Sequence, residues 1–238
     1  MDPTSAEETV APQTSSWWED PIDVIFSPTE LFERRRNAPI KPPLLMLLAA
    51  SIVVYFIMMP VNEIVMRAAM AEDPNAAAAM EQFGTMFRII GAIFVPLGVS
   101  VGLAWAALLL FGFGRLFDIA TTFRDAFLIA IYAGWIYVLA QLVGGVVLLV
   151  LGGDNITDVM AALSFGVLRF TGTEDIAPAL VPLLGRLDLF VIWAAVIWAI
   201  GLRVVHGASR GQAIGTAAAA WVLSALPQIV MSALRPTP

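Results

Sequence analysis

Apolar residues run through this chain in five long blocks, at about 44–66, 86–113, 126–151, 187–205 and 212–234. Each is long enough to cross roughly 30 Å of hydrocarbon as a helix. Lipid offers the backbone no hydrogen-bonding partner outside the segment itself, so such runs must be helical. The predicted fold is all-α: a polytopic membrane helix bundle with five transmembrane helices over residues 44–235, plus short interfacial helices. One of the short helices is predicted between the third and fourth blocks. There Ile156, Val159, Met160, Leu163, Val167 and Phe170 recur at helical spacing, with Asp158, Ser164 and Arg169 off that stripe. At about 15 residues it is too short to span. The acidic, Ala-rich connection at about 67–85 predicts a short helix above the membrane, and Pro60 and Pro227 predict local kinks.

Ahead of the first block, "DVIFSPTELFERRR" has a different pattern. Ser27 is a natural N-cap, Pro28 fits the first helical position, and Glu30 falls three residues after the cap, which completes a capping box. Phe26 and Leu31 occupy the two staple positions, and Arg34, Arg35 and Arg36 suit both a helix C-terminus and anionic headgroups. Residues 22–43 are therefore read as an amphipathic interfacial helix and linker, with Phe26, Leu31 and Phe32 meeting either lipid or the bundle's own loops. Residues 1–21, rich in Asp, Glu, Ser, Thr and Pro, read as a disordered acidic tail.

Composition strengthens the membrane reading. Hydrophobic residues make up 59%, charged residues 13%, and the mean hydropathy is +0.84, against about 25% charged in soluble domains. The chain has no cysteine and one histidine, His206, so thiol nucleophiles, disulfides and His-based metal sites are poor candidates. The net charge of −6 and the lack of a long basic run argue against a nucleic-acid partner. Lys and Arg divide unevenly between alternate connections. Arg34, Arg35, Arg36, Lys41, Arg115, Arg124, Arg203 and Arg210 fall on one side, and Arg67, Arg88, Arg169, Arg186 and Arg235 on the other. The richer side predicts a cytoplasmic N-terminus, and five crossings put the C-terminus outside.

Candidate chemistry inside the blocks is sparse. Glu63, Arg88, Asp188 and Arg203 sit near block ends, and the deep polar positions are Gln141 and Ser100. A coupled carrier needs more intramembrane charge than this. Gln141 reads as a hydrogen bond to a neighbouring helix in preference to a substrate amide. Gly98 and Gly102 form a GxxxG that predicts close packing, within the chain or in a dimer. Between the second and third blocks, Arg115 with Asp118 and Arg124 with Asp125 bring opposite charges to the membrane surface, either to neutralise one another or to meet a partner, and Thr121 or Thr122 caps the third block. His206, among basic neighbours, reads as a headgroup contact. No catalytic residue, metal site or cofactor is predicted.

In "FSPTELFERRR", "GFGRLFDIATTFRDAFLIAIYAG", "LDLFVIWAAVIWAIGL" and "GASRGQAI…W", spread over about residues 22 to 234, the chain resembles the YIP family (Ypt-interacting proteins) in its prokaryotic form. The resemblance implies a five-span bundle with a cytoplasmic N-terminus in a bacterial or archaeal cell (inner) membrane. Eukaryotic relatives bind Rab-type GTPases and shape or sort membranes. This chain departs from them in its N-terminus of about 43 residues and in lacking their aromatic-Gly-Pro motif. The functional expectation is a non-enzymatic membrane protein that organises membrane or partner proteins, with lipid headgroups and a membrane protein or second copy as its partners. The alternatives are a small-solute or lipid transporter or channel, and an accessory subunit of a larger membrane complex.

Overall fold

The computed structural model describes residues 16–70, 74–150, 159–173 and 176–233. The acidic tail up to residue 15 lies outside them, as do Asp158 and the Asp154, Asn155–Thr157 and Glu174–Asp175 positions. Every described element is helical. A 3-10 turn at Trp17–Glu19 leads into α1 (Asp20–Phe26) and α2 (Pro28–Arg35), followed by α3 (Lys41–Ile57), α4 (Met59–Met70), α5 (Pro74–Leu116) and α6 (Phe123–Val150). Then come three short helices, α7 (Val159–Leu163), α8 (Leu168–Thr171) and α9 (Val181–Leu184), and finally α10 (Leu189–His206), α11 (Arg210–Leu223) and α12 (Leu226–Ala233).

Four stretches are long and apolar enough to cross a membrane: Gly84–Leu116, Phe123–Val150, Leu189–His206 and Arg210–Ser232. The first predicted block is not one helix. It breaks at Met58, two residues before Pro60, into α3 of 17 residues and α4. The last block breaks in the same way at Ser224–Ala225, two residues before Pro227. Proline disfavours helical geometry in the residue before it and cannot donate to the preceding turn, so both interruptions fall where the sequence requires them.

α6 is the central helix. Ala126, Leu128, Ile129, Ala130, Ile131, Tyr132, Ala133, Gly134 and Ile136 are all buried in it, so the stretch from Ala126 to Ile136 has no exposed face. It packs against α3, α5, α10 and, at its start, α1. The close approaches use glycines: a Cβ on Gly134 would stand 2.6 Å from Leu47 of α3, and one on Gly201 would stand 2.8 Å from Ile129 and 3.0 Å from Phe32. Gly98 and Gly102 have no neighbour within 4 Å of a built Cβ, so the predicted GxxxG face makes no close packing within the chain. On the outer surface Ile93, Phe94, Leu97 and Val101 of α5 stay more than half exposed, which a chain can tolerate when its solvent is hydrocarbon.

The predicted helix at 156–170 is interrupted. Within the described part, α7 ends at Leu163, and Ser164–Val167 turn away before α8. Gly166 pairs with Asp188 in an isolated antiparallel bridge, where a Cβ would collide with the Leu187 carbonyl. The Asp188 carboxylate accepts the Phe165 N–H at 2.6 Å and caps α10 by accepting the Phe190 N–H at 2.9 Å. An amide captured by a carboxylate competes better than a marginal helical turn, and periodicity alone could not foresee that. Asp188→Ala removes a cap worth about 1 kcal/mol and strands a partly buried N–H at about 1–3 kcal/mol. We expect a lower melting temperature in detergent and faster amide exchange at Phe165 and Phe190. Unchanged exchange at both would contradict this role.

Candidate functional site

Several connections gather at one end of the bundle. Gln212, at the start of α11, donates to the Phe117 carbonyl at 2.9 Å, Arg36 donates to the Val204 carbonyl, and Arg124 donates to the Ala38 carbonyl. The α2–α3 linker, the α5–α6 loop and the α10–α11 turn therefore share a face. Seven of the eight cations assigned by sequence to one side lie in or beside these connections, and Lys41 opens α3 there.

The N-terminal helices are locked onto this end by a buried polar cluster. Asp20, only 2% exposed, accepts from Arg35 Nε at 3.0 Å and Arg35 Nη2 at 3.1 Å, a two-pronged pair. It also accepts from the Tyr132 hydroxyl of α6 at 3.0 Å and from Arg34 at 3.2 Å. Arg34 also binds Asp23, and the Arg35 guanidinium lies 3.8 Å from the centre of the Trp17 ring. Beneath the cluster Val24, Leu31 and Phe32 are fully buried, and Phe32 meets Tyr132 edge to face at 5.7 Å. A carboxylate taken out of water needs its lone pairs filled, and four donors from two helices do this.

These contacts correct several sequence expectations. Residues 17–21, assigned to the disordered tail, are helical, because Asp20 has a buried cationic partner that average composition cannot reveal. Leu31 and Phe32 face the bundle, and Arg35, 9% exposed, faces Asp20 instead of headgroups. Phe26, 79% exposed, is the residue of the three that points outward, so it makes no staple with buried Leu31. Ser27 makes no side-chain cap, because α1 ends directly at it and its backbone carbonyl instead accepts from Leu31. Trp18, Ile22 and Phe26, four residues apart in sequence, are the strongly exposed apolar residues of the 3-10 turn and α1.

The second predicted group divides. Arg124 pairs with Asp125 at 2.9 Å, and the Thr122 hydroxyl accepts the Asp125 N–H at 3.2 Å and so caps α6. His206 Nε2 stands 4.0 Å from the same carboxylate with its ring largely buried, so it does not meet headgroups openly. Arg115 and Asp118 form no ion pair. Asp118 adopts a left-handed φ of 58° just past the end of α5, and Arg115 lies over the Phe111 ring instead. A helix-ending residue in that conformation turns its side chain away from the previous turn.

A family model for the Yip1 domain matches residues 22–231. The chain belongs to the Yip1 family. No curated protein and no solved structure gives a significant match. The Yip1 match begins just after Asp20, so Trp17 and Asp20, the half of the clasp that sequence reading missed, precede the matched region. The available signal was the spacing of Asp20 and Asp23 ahead of Arg34 and Arg35 across two short helices, together with Tyr132 as a lone hydroxyl in an apolar run.

Proposed function

We propose that this Yip1-family protein is a non-enzymatic membrane organiser that recruits a partner protein, or membrane itself, at the end of the bundle carrying the clasp. The observation that carries the reading is the buried Asp20–Arg35–Tyr132 cluster. It holds two short helices rigidly in place, although helices of seven and eight residues are too short to persist unaided in water. That rigidity gives the exposed Trp18, Ile22 and Phe26 fixed places on the bundle. Preorganised aromatic and aliphatic anchors suit recognition, because little entropy is lost when they bind.

We assign this end to the cytoplasm from the excess of Lys and Arg in its connections, and the membrane to the cell (inner) membrane of a prokaryote. Five crossings follow if α3, helped by α4, completes the span that its roughly 25 Å of helix begins. The C-terminus then lies outside.

Site-specific photocrosslinking tests the reading. A photoreactive residue at Phe26 or Ile22 in native membranes should yield a reproducible protein or lipid adduct, and Asp20→Ala should abolish it. The same probe at Val53 should give a different, lipid-only pattern. Identical adducts at all positions would defeat the proposal. A transport reading draws on two adjoining cavities that meet at Gln141. Our expectation is no saturable solute flux in proteoliposomes, and flux lost on Gln141→Leu would favour a carrier instead.

A further inference from the structure

Away from the clasp, a partly open cavity of about 480 Å³ lies between α3, α5, α6 and α10 and is bordered by α8, α9 and the Ser224 break. This is within the size range of sites for small organic ligands. Its walls are mostly apolar, with Leu47, Val99, Leu103 and Val138 among them. At one end stands Arg186. Its guanidinium donates to the Ser224 hydroxyl at 3.0 Å and the Ser224 carbonyl at 3.3 Å, both neutral acceptors, and no described carboxylate pairs with it. Burial lowers its pKa from the ordinary guanidinium value. A partly desolvated cation without a counter-charge beside apolar walls is costly unless an anion joins it.

Two further unmet donors are covered within the cavity's walls. The indole N–H groups of Trp105 and Trp198 have no acceptor, and both residues line it; Trp198 is 3% exposed. α5 and α10 both run towards the clasp end, so their side chains lean back towards Arg186. An occupant must therefore bring negative charge at the Arg186 end and hydrocarbon for the walls. A second cavity of about 560 Å³ adjoins this one at Ser51, Tyr137 and Gln141 and extends the apolar space towards Met58 and Val95.

We propose that this cavity is a binding site for one anionic glycerophospholipid, with its phosphate on Arg186 and its acyl chains between α3, α5 and α6. The phosphate supplies the missing counter-charge, and the acyl chains match the apolar walls. The site is independent of the recruitment assigned to the clasp end. It also accounts for how a cation is held in this part of the chain without a carboxylate among the described residues.

Native mass spectrometry of the full chain in mild detergent, titrated with dioleoyl phosphatidylglycerol or dioleoyl phosphatidylcholine, tests the proposal. We expect one phosphatidylglycerol to bind about tenfold more tightly than phosphatidylcholine, because both phosphates can reach Arg186 but the choline ammonium brings a second positive charge beside it. Arg186→Gln should erase the preference, and Arg186→Lys should keep most of it. Gly102→Leu should weaken both lipids, since Gly102 lines the cavity and a Cβ there meets nothing within 4 Å. Arg203→Gln, at the opposite end, should change nothing. Equal affinity for the two lipids, a preference that survives Arg186→Gln, or displacement of phosphatidylglycerol by equimolar inorganic phosphate would each overturn it. Should Arg186→Gln fail to fold, unaltered lipid binding by Gly102→Leu would do so.

Discussion

Asp20→Ala should release the N-terminal helices from the bundle while leaving the membrane-spanning helices folded. Removing one partner of a buried ion pair typically costs about 3–5 kcal/mol, because the other charge stays in a poorly solvated site. Here the change removes the carboxylate that Arg35 grips with two nitrogens and leaves the Tyr132 hydroxyl without its acceptor. The run Arg34–Arg36 is a natural trypsin target that docking protects. When opening is fast relative to cleavage, proteolysis reports the open population. Every 1.4 kcal/mol is tenfold, so cleavage there should rise by about two to three orders of magnitude. Asp20→Leu combined with Arg35→Met should recover much of the loss, because exchanging a whole buried pair for apolar groups is often neutral or better. Cleavage unchanged by Asp20→Ala would mean that the helices are held by something other than this cluster.

The bundle was legible in the sequence to the extent that its cause is collective. Long apolar runs must be helices in lipid whatever their details, so α6 and α10 fall close to their predicted bounds, while α5 begins at Pro74, 12 residues before its block, and takes in much of the connection expected as a separate short helix. Breaks at Met58 and Ser224 follow from single prolines and were also legible. The clasp was not, because it depends on one residue in an otherwise unremarkable acidic stretch. Asp20 differs from Asp2 or Glu8 only in what lies across from it in space. Average composition assigned all of them to a tail, and the arginines that should have signalled a partner were read as headgroup contacts. The same limit applied to Phe26, Leu31 and Phe32. Their hydrophobicity is similar, but the turn at Ser27 sets Phe26 outward and the other two inward. At 164–166 the periodicity was present, yet one carboxylate 23 residues beyond Phe165, Asp188, captured the Phe165 amide and ended the helix. Arg186 and its cavity were beyond reach for the opposite reason, since a charge near a block end looks like an ordinary interfacial residue until the bundle closes around it.

Phe32→Ala should destabilise docking about as strongly as Asp20→Ala, and Phe26→Ala should barely be felt. Phe32 is fully buried, touches Tyr132 edge to face, and sits where Gly201 of α10 has no side chain to fill the gap. Truncating a buried phenylalanine costs about 3–5 kcal/mol, whereas an exposed one away from any network stays within about 0.5 kcal/mol. Trypsin release at Arg34–Arg36 is again the measurement. The informative result is the double variant. If α1 and α2 dock as one unit, the first substitution already opens them and the second has little left to remove. Asp20→Ala with Phe32→Ala should then raise cleavage far less than the product of the two single effects, a coupling that neighbouring residues in one network commonly show. Full additivity would mean that the ion-pair cluster and the aromatic contact act as two separate latches. The N-terminal helices would then loosen in stages, and the fixed stripe of Trp18, Ile22 and Phe26 on which recruitment depends would no longer be guaranteed by the clasp.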